Sequence, residues 1–192
     1  MRYRLSLVSI RTIVKNRLTA LLARRNLQPH DGKRWTTGGG LRELQALALA
    51  PTPDTIRHYC LTALTLLDEQ IRTLDRQLLD RWSLDPRVQR LTTIIPGVGP
   101  LIAIILVLEL GNVQRFPSAK HLASYVGLTP RVRASGDRLR TGHISKEGNA
   151  ILRWAAVVAA TQAARRPGPL RAWYRTVQQR RGAKIARVAL AR

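Results

Sequence analysis

Acidic residues are scarce in this 192-residue chain: 11 Asp plus Glu stand against 33 Lys plus Arg, for a formal net charge of +22. Such an excess excludes an ordinary soluble enzyme of balanced charge and points to a polyanionic partner, nucleic acid first and an anionic membrane surface as the alternative. Past residue 90 the only carboxylates are Glu109, Asp137 and Glu147. Two-metal phosphoryl chemistry needs several converging Asp or Glu, so no metal site is expected in this chain. The single Cys60 excludes an intrachain disulfide, and with only four His there is no zinc spacing. The charge-free apolar run 101–108 is far short of the ~20 residues that cross a bilayer. The first residues, Met1-Arg2-Tyr3-Arg4-Leu5-Ser6, carry no apolar signal core. The expectation is a cytoplasmic, nucleoid-associated protein with no membrane partner. At 45% hydrophobic residues, the chain is long enough for one good core or two small ones.

The stretch around which the rest is organised is Ile94-Ile95-Pro96-Gly97-Val98-Gly99-Pro100, followed by the apolar residues 101–110. An apolar segment, a Pro-Gly-x-Gly turn and a new apolar helix make a helix-hairpin-helix pattern over 94–110. Glycines at 97 and 99 let the backbone turn tightly and leave the amides of Gly97, Val98 and Gly99 open to a phosphate at a helix start. A lone Gly-x-Gly also serves a buried helix that merely begins after a turn. The surrounding charge favours nucleic acid.

Charge is unevenly spread along the chain. Residues 1–60 hold 11 basic and 3 acidic residues, 61–90 hold 5 and 5, and 91–192 hold 17 and 3. Over 5–22, Leu7, Ile10, Val14, Leu18 and Leu21 recur at helical steps opposite Arg11, Lys15, Arg24 and Arg25, which predicts an amphipathic helix. Residues 28–40, with Pro29, Asp31-Gly32 and Gly38-Gly39-Gly40, read as a flexible loop. A short helix over 41–49 stops at Pro51-Thr52-Pro53. A long one follows over 54–82, capped by Thr52 or Asp54. In it Cys60, Leu64, Leu67, Ile71, Leu74 and Leu78 follow a coiled-coil seam with mixed charges beside it. The seam requires a partner helix: either the first helix folded back antiparallel, or the same helix of a second subunit. Asp85-Pro86 ends the long helix and divides the chain into 1–85 and 86–192.

The fold class is therefore mainly α: a helical, coiled-coil region, then a helical domain that holds the hairpin motif and a basic loop. In that second part Gly111-Asn112 closes one helix. Pro117-Ser118 opens the next, with Leu122, Tyr125 and Val126 on its inner side and Gly127 as a left-handed stop. Residues 129–144, broken by Pro130, Gly136 and Gly142 and studded with Arg131, Arg133, Arg138 and Arg140, read as an exposed basic loop or a short hairpin. Ser145 is the expected cap of the following helix, with Glu147 in its first turn and Ile151, Leu152, Ala155, Val158 and Ala159 as its buried stripe. After Arg165-Arg166-Pro167-Gly168-Pro169 a further helix carries Leu170, Trp173, Tyr174 and Val177. The last one ends at Arg192 without a cap, as if cut short.

Ser135 sits in Arg131-Val132-Arg133-Ala134-Ser135-Gly136-Asp137-Arg138-Leu139-Arg140. A hydroxyl hemmed by guanidinium groups is a candidate nucleophile toward a phosphodiester, because those groups stabilise the developing charge. It is also what an ordinary Ser-Gly turn in a phosphate-binding loop looks like, and on the residues alone that plainer reading is preferred.

Several motifs then fall in a common order. Ile95-Pro96-Gly97-Val98-Gly99, Phe116-Pro117-Ser118, Tyr125-Val126-Gly127-Leu128-Thr129-Pro130, Ser135-Gly136 and His143-Ile144-Ser145-Lys146-Glu147-Gly148-Asn149 together resemble the C-terminal transposase domain of an insertion-sequence family. That family includes the pilin-gene invertase and the bridge-RNA-guided recombinases. Leu7-Val8-Ser9-Ile10-Arg11-Thr12 and Lys15-Asn16-Arg17-Leu18 look like the helical linker that precedes the domain. The resemblance implies a serine nucleophile at Ser135, and the residues expected to contact nucleic acid are Gly97, Val98, Gly99, Arg131, Arg133, Arg138, Arg140 and Lys146. It also implies a homo-oligomer working on DNA with a structured guide RNA. Mg²⁺ would be held by a RuvC-like domain with four acidic residues, which in the family lies N-terminal to this region. The expectation is thus a truncated transposase, inactive by itself. A stand-alone or dominant-negative nucleic-acid-binding protein without catalysis is the alternative.

Overall fold

The computed structural model describes residues 1–29, 34–36, 38–135 and 138–192, with backbone alone at 38, 133–135 and 138–141. The described residues are mainly helical, and the chain forms two compact units, Met1–Gln77 and Leu78–Arg192.

In the first unit, α1 (Arg2–Ala23) and α3 (Pro51–Trp82) run antiparallel. Arg4 grips Asp75 through two bonds of 2.7 and 3.0 Å, and one heptad along α1, Arg11 donates to Asp68 at 2.7 Å. Advancing seven residues on one helix retreats seven on the other. Leu7 packs with Leu67 and Ile71, while Leu18 and Leu22 meet Leu64. Of the two partners open to the long helix's seam, the structure therefore has the folded-back one. The buried stripe of α1 is rotated from the expected one: Leu22 is buried, Ile10 is 44% exposed, and Arg11 lies on the packed side, where Asp68 neutralises it.

The segment before α3 is better built than its composition suggests. Trp35 is 5% exposed and packs with Leu18, Leu22 and Leu44, which fixes part of the expected flexible loop; Asp31 and Gly32 lie outside the described residues. α2 (Gly38–Ala46) starts three residues earlier than expected. A Cβ on Gly40 would collide with the Arg34 carbonyl, so glycine there permits the helix to begin against the chain that feeds it. α3 begins at Pro51 rather than Asp54, because prolines fit a first helical turn, whose amides have no intrahelical acceptor. Arg57, ion-paired with Asp54, donates to the carbonyls of Leu44 and Leu47 and so satisfies the exit of α2.

The second unit is built on α5 (Pro100–Leu110), whose Ala103, Ile104, Ile105 and Val107 are buried. It packs against α4 (Pro86–Ile94) and α7 (Ala150–Ala163), and α9 (Ala183–Ala191) packs against α7 and α8 (Pro169–Arg181). A separate cluster joins Val126, Leu128 and Leu152 to Leu106, Leu122, Ile144 and Val188. Asp85 caps α4 by accepting from the Arg87 amide. Gly111, at φ +67°, ends α5, and a single 3-10 turn at Val113–Arg115, unforeseen from the pattern, leads to α6 (Ala119–Tyr125). Gly127 stops α6 at φ +74° as expected, but Tyr125 points outward at 38% exposure rather than into the core. Residues 130–144 form an antiparallel ribbon of β1 (Pro130–Ser135) and β2 (Arg138–Ile144), with an irregularity between Pro130 and Val132. Of the two shapes open to this segment, it is the hairpin. The turn at Gly136 and Asp137 lies outside the described residues.

The cap of α7 is Asn149 rather than Ser145. Its Oδ1 accepts from the amides of Ile151 and Leu152 at 3.0 Å each, and its Nδ2 donates to Glu109 at 2.7 Å. Ser145 instead accepts from the Glu147 amide at 3.4 Å, inside the turn that enters the helix. The buried stripe of α7 correspondingly comprises Leu152, Ala155, Ala159, Ala160 and Ala163, with Ile151 and Val158 half-buried.

Candidate nucleic-acid interface

The turn between α4 and α5 separates its three candidate residues. Gly97 adopts φ +83°, and a Cβ there would press on Gln162 and Arg166 of the α7 exit at 3.2–3.3 Å. Val98 is buried at 5%, and its amide donates to the Ile95 carbonyl at 3.1 Å. Gly99, exposed like Gly97, differs in that it caps α5 through its backbone and has nothing within 4 Å of where a Cβ would stand. The open approach to the helix start thus lies at Gly99, followed by Pro100 and the first-turn amides of α5. The aliphatic stem of Arg166 lies against the same turn at Gly97, and no spacing rule in the sequence points to it.

The ribbon gathers the other candidates. Its register pairs Ser135 with Arg138 and Arg133 with Arg140. Because alternate residues of a strand face opposite sides, positions 133, 135, 138 and 140 share one face of the ribbon. Arg131 stands nearer the base, where it donates to the Ser145 carbonyl at 3.0 Å and approaches Glu147 at 3.6 Å; both partners in that ion pair are more than half exposed. Lys146 is exposed and adopts the left-handed φ of +58°, with its amide bonded to the Gly127 carbonyl at 3.2 Å.

What orients the ribbon is a close backbone crossing. A Cβ on Gly127 would strike the Glu147 carbonyl, and one on Gly148 would strike the Tyr125 carbonyl. The two glycines therefore allow the chain before the ribbon and the chain after it to touch, and Ser145 donates its amide to Thr129 at 2.8 Å across the same base. Arg153 of α7 donates to the Val126 carbonyl at 3.0 Å and locks this crossing to the helix. A further cation, Arg115, stacks on Phe116 and Tyr125 with its guanidinium 4.6 and 4.7 Å from the ring centres. Sequence reading passes over it because the aromatic partners come from two different elements.

Among the described residues, Asp85 is the carboxylate held below its ordinary value, pulled down from 3.8 to about 2, first by the side-chain hydrogen bond from Arg87. That pair caps α4 and involves no reacting group. In the first unit, a cleft of about 530 Å³ is bordered by Lys15, Asn16, Arg34 and Trp35. Among the described residues no three His, Cys, Asp or Glu stand together as a metal-holding group, and no helix is long and apolar enough to cross a membrane.

Comparison with known proteins gives this geometry a context. Residues 88–175 match the model of the Transposase IS116/IS110/IS902 family. A probable family 20 transposase of Pseudomonas aeruginosa is 30% identical over 197 residues, covering 99% of this chain and 58% of that protein. The transposase for insertion sequence element IS1111A of Coxiella burnetii is 30% identical over 77% of this chain and 41% of its own length. A pilin gene-inverting protein of Moraxella bovis is 37% identical over 62% of this chain and 35% of its own. The chain thus spans little more than half the length of the Pseudomonas relative and less of the others. The unit that carries the hairpin turn, the ribbon and the glycine crossing is similar, over residues 88–175, to the Transposase IS116/IS110/IS902 family.

Proposed function

We propose that this chain is the nucleic-acid-binding and nucleophile-bearing part of an insertion-sequence transposase that cuts and rejoins DNA through Ser135. In this reading the Ser135 Oγ attacks a phosphodiester phosphorus. An Oγ–P bond forms, the bond to the leaving deoxyribose oxygen breaks, and that oxygen takes up a proton while the serine gives one up. Arg131, Arg133, Arg138 and Arg140 hold the phosphate and offset the charge on its non-bridging oxygens. Gly99, at the open start of α5, and Lys146 grip the backbone, and a structured guide RNA is the second polyanion. The observation that carries the reading is the ribbon register, which sets Ser135 opposite Arg138 and Arg133 opposite Arg140 on one basic face.

The carboxylates of the described residues do not fit a Mg²⁺ site, so no step assigned to this chain passes through the metal. The proposal places the ion on a RuvC-like partner half. It also has two copies associate through the first unit, where Tyr3, Ile10 and Ile13 on α1 and Ile56, Tyr59 and Leu66 on α3 remain exposed at three- and seven-residue steps. The test is covalent trapping on a nicked suicide substrate with the RuvC-like half, Mg²⁺ and guide RNA supplied. The parent chain becomes attached to DNA and Ser135→Ala does not. An adduct that survives Ser135→Ala overturns the assignment, and intact duplex binding with no adduct from either protein favours a binding protein without catalysis.

A further inference from the structure

α8 is a 13-residue helix that buries none of its residues. It carries Arg171, Arg175, Arg180 and Arg181, and from residue 148 to 192 the sequence has ten Arg or Lys and no Asp or Glu. No Asp or Glu of that segment stands among these cations, which makes the surface complementary to a polyanion. The same helix leaves Trp173 at 47% and Leu170 at 37% exposure, one turn apart. Trp173 and Arg180 are seven residues apart, hence on one stripe about 10 Å long, whereas Arg175, two residues from Trp173, lies about 160° round the helix from it.

An indole beside a guanidinium group distinguishes between kinds of polyanion. In a duplex the face of each base is covered by its neighbours, and a side chain reaches only phosphates and groove edges. An unpaired strand offers free base faces together with its phosphates, and every base has a face for an aromatic ring to stack on. A lipid surface offers the charge without the stacking.

We propose that the outer face of α8, with Trp173 and Arg180, binds an unpaired nucleic-acid strand, the indole stacking on a base while Arg180 contacts a flanking phosphate. The proposal rests on the preceding reading only in taking nucleic acid as the partner. It concerns a surface separate in sequence from the Ser135 ribbon.

The test uses the full chain and fluorescein-labelled oligothymidylate, oligouridylate and duplex DNA, read by anisotropy across a salt series. Trp173→Leu keeps an apolar side chain and removes the stacking surface. It is expected to weaken binding to the unpaired strands about five- to hundred-fold and to leave the duplex within about twofold. The quench of tryptophan emission on strand binding shrinks with it, and Trp173→Tyr restores most of the affinity. Arg180→Gln lowers the salt slope by about 0.7 on a single strand. Preference for oligothymidylate or for oligouridylate identifies DNA or RNA as the source, and equal binding identifies the features common to both.

Equal loss on duplex and single strand, or no loss on either, overturns the proposal, as does competition by anionic vesicles that Trp173→Leu leaves unchanged. Unchanged thermal melting of Trp173→Leu certifies the fold, and Arg138→Ala with Arg140→Ala is measured alongside. If only the ribbon variant loses affinity, the α8 proposal fails alone; if only the α8 variants do, the ribbon reading fails alone.

Discussion

Gly127 and Gly148 are demanded twice over, by positive φ and by a carbonyl lying where a side chain would begin. Gly127→Ala and Gly148→Ala should therefore each cost more than about 2 kcal/mol, the left-handed strain and the forced separation of the crossing adding together. Gly99→Ala meets open space at φ −81° and should stay within about 0.5 kcal/mol. Thermal or urea unfolding of the three variants separates them, and a Gly127→Ala protein as stable as the parent would refute the crossing. Asp85 gives a pH test. Its carboxyl is held below 3.8, near 2, by Arg87, so its contribution is complete above about pH 4 and is lost as pH falls through 2. Asp85→Asn keeps a cap acceptor for the Arg87 amide but lacks the charge, and its stability should converge on the parent's at the acid end of that window. A difference that persists unchanged from neutral pH to pH 2 would remove the ion pair as its cause.

The α1–α3 pair is where an element-scale prediction is sharpest. Ile71, 3% exposed among Leu7 and Leu67, cannot accept a carboxylate without leaving a charge unpaired, so Ile71→Asp should destabilise the first unit by about 3 kcal/mol or more. Leu66 lies on the same helix at 55% exposure, and Leu66→Asp should leave melting nearly unchanged. If copies associate through that outer face, Leu66→Asp lowers the sedimentation-derived mass at constant stability; a variant that sediments like the parent removes Leu66 from any such interface. Helix stops were legible in the sequence because glycine and proline carry them locally, as at Pro86, Gly111, Gly127 and Pro169. Rotation about a helix axis was not. Ile10 and Tyr125 fit their apolar stripes by spacing, yet the partner's position turns both outward. The cap of α7 passes from Ser145 to Asn149 for a similar reason: both residues can cap, and the choice is made by the Gly148–Tyr125 crossing, a contact between distant parts of the chain. Trp35 is likewise invisible in a glycine-rich stretch until Leu18 and Leu44 are seen to enclose it.

At the scale of the whole molecule, net charge was the most readable property and the least specific. It points toward a polyanionic partner without saying which of the 33 Lys and Arg would touch it. The structure narrows the choice by showing which cations already have work: Arg4 and Arg11 serve acids, Arg57 serves carbonyls, and Arg153 holds Val126. The ribbon register pairs Arg138 with Ser135 and Arg133 with Arg140, and the proposed reading gives this group an external phosphate as its counter-charge. Replacing both Arg138 and Arg140 with Ala should weaken binding to duplexes of any sequence by a common factor. It should also lower the slope of log affinity against log salt by about 0.9 per contact, hence about 1.8. Replacing Arg4 instead should change stability and leave the slope alone, because its charge is already committed to Asp75. Titrations at several salt concentrations with two unrelated duplexes decide the matter. A slope that stays at the parent's value would take Arg138 and Arg140 off the nucleic-acid surface, and a loss confined to one duplex would mean that the ribbon reads bases rather than phosphates.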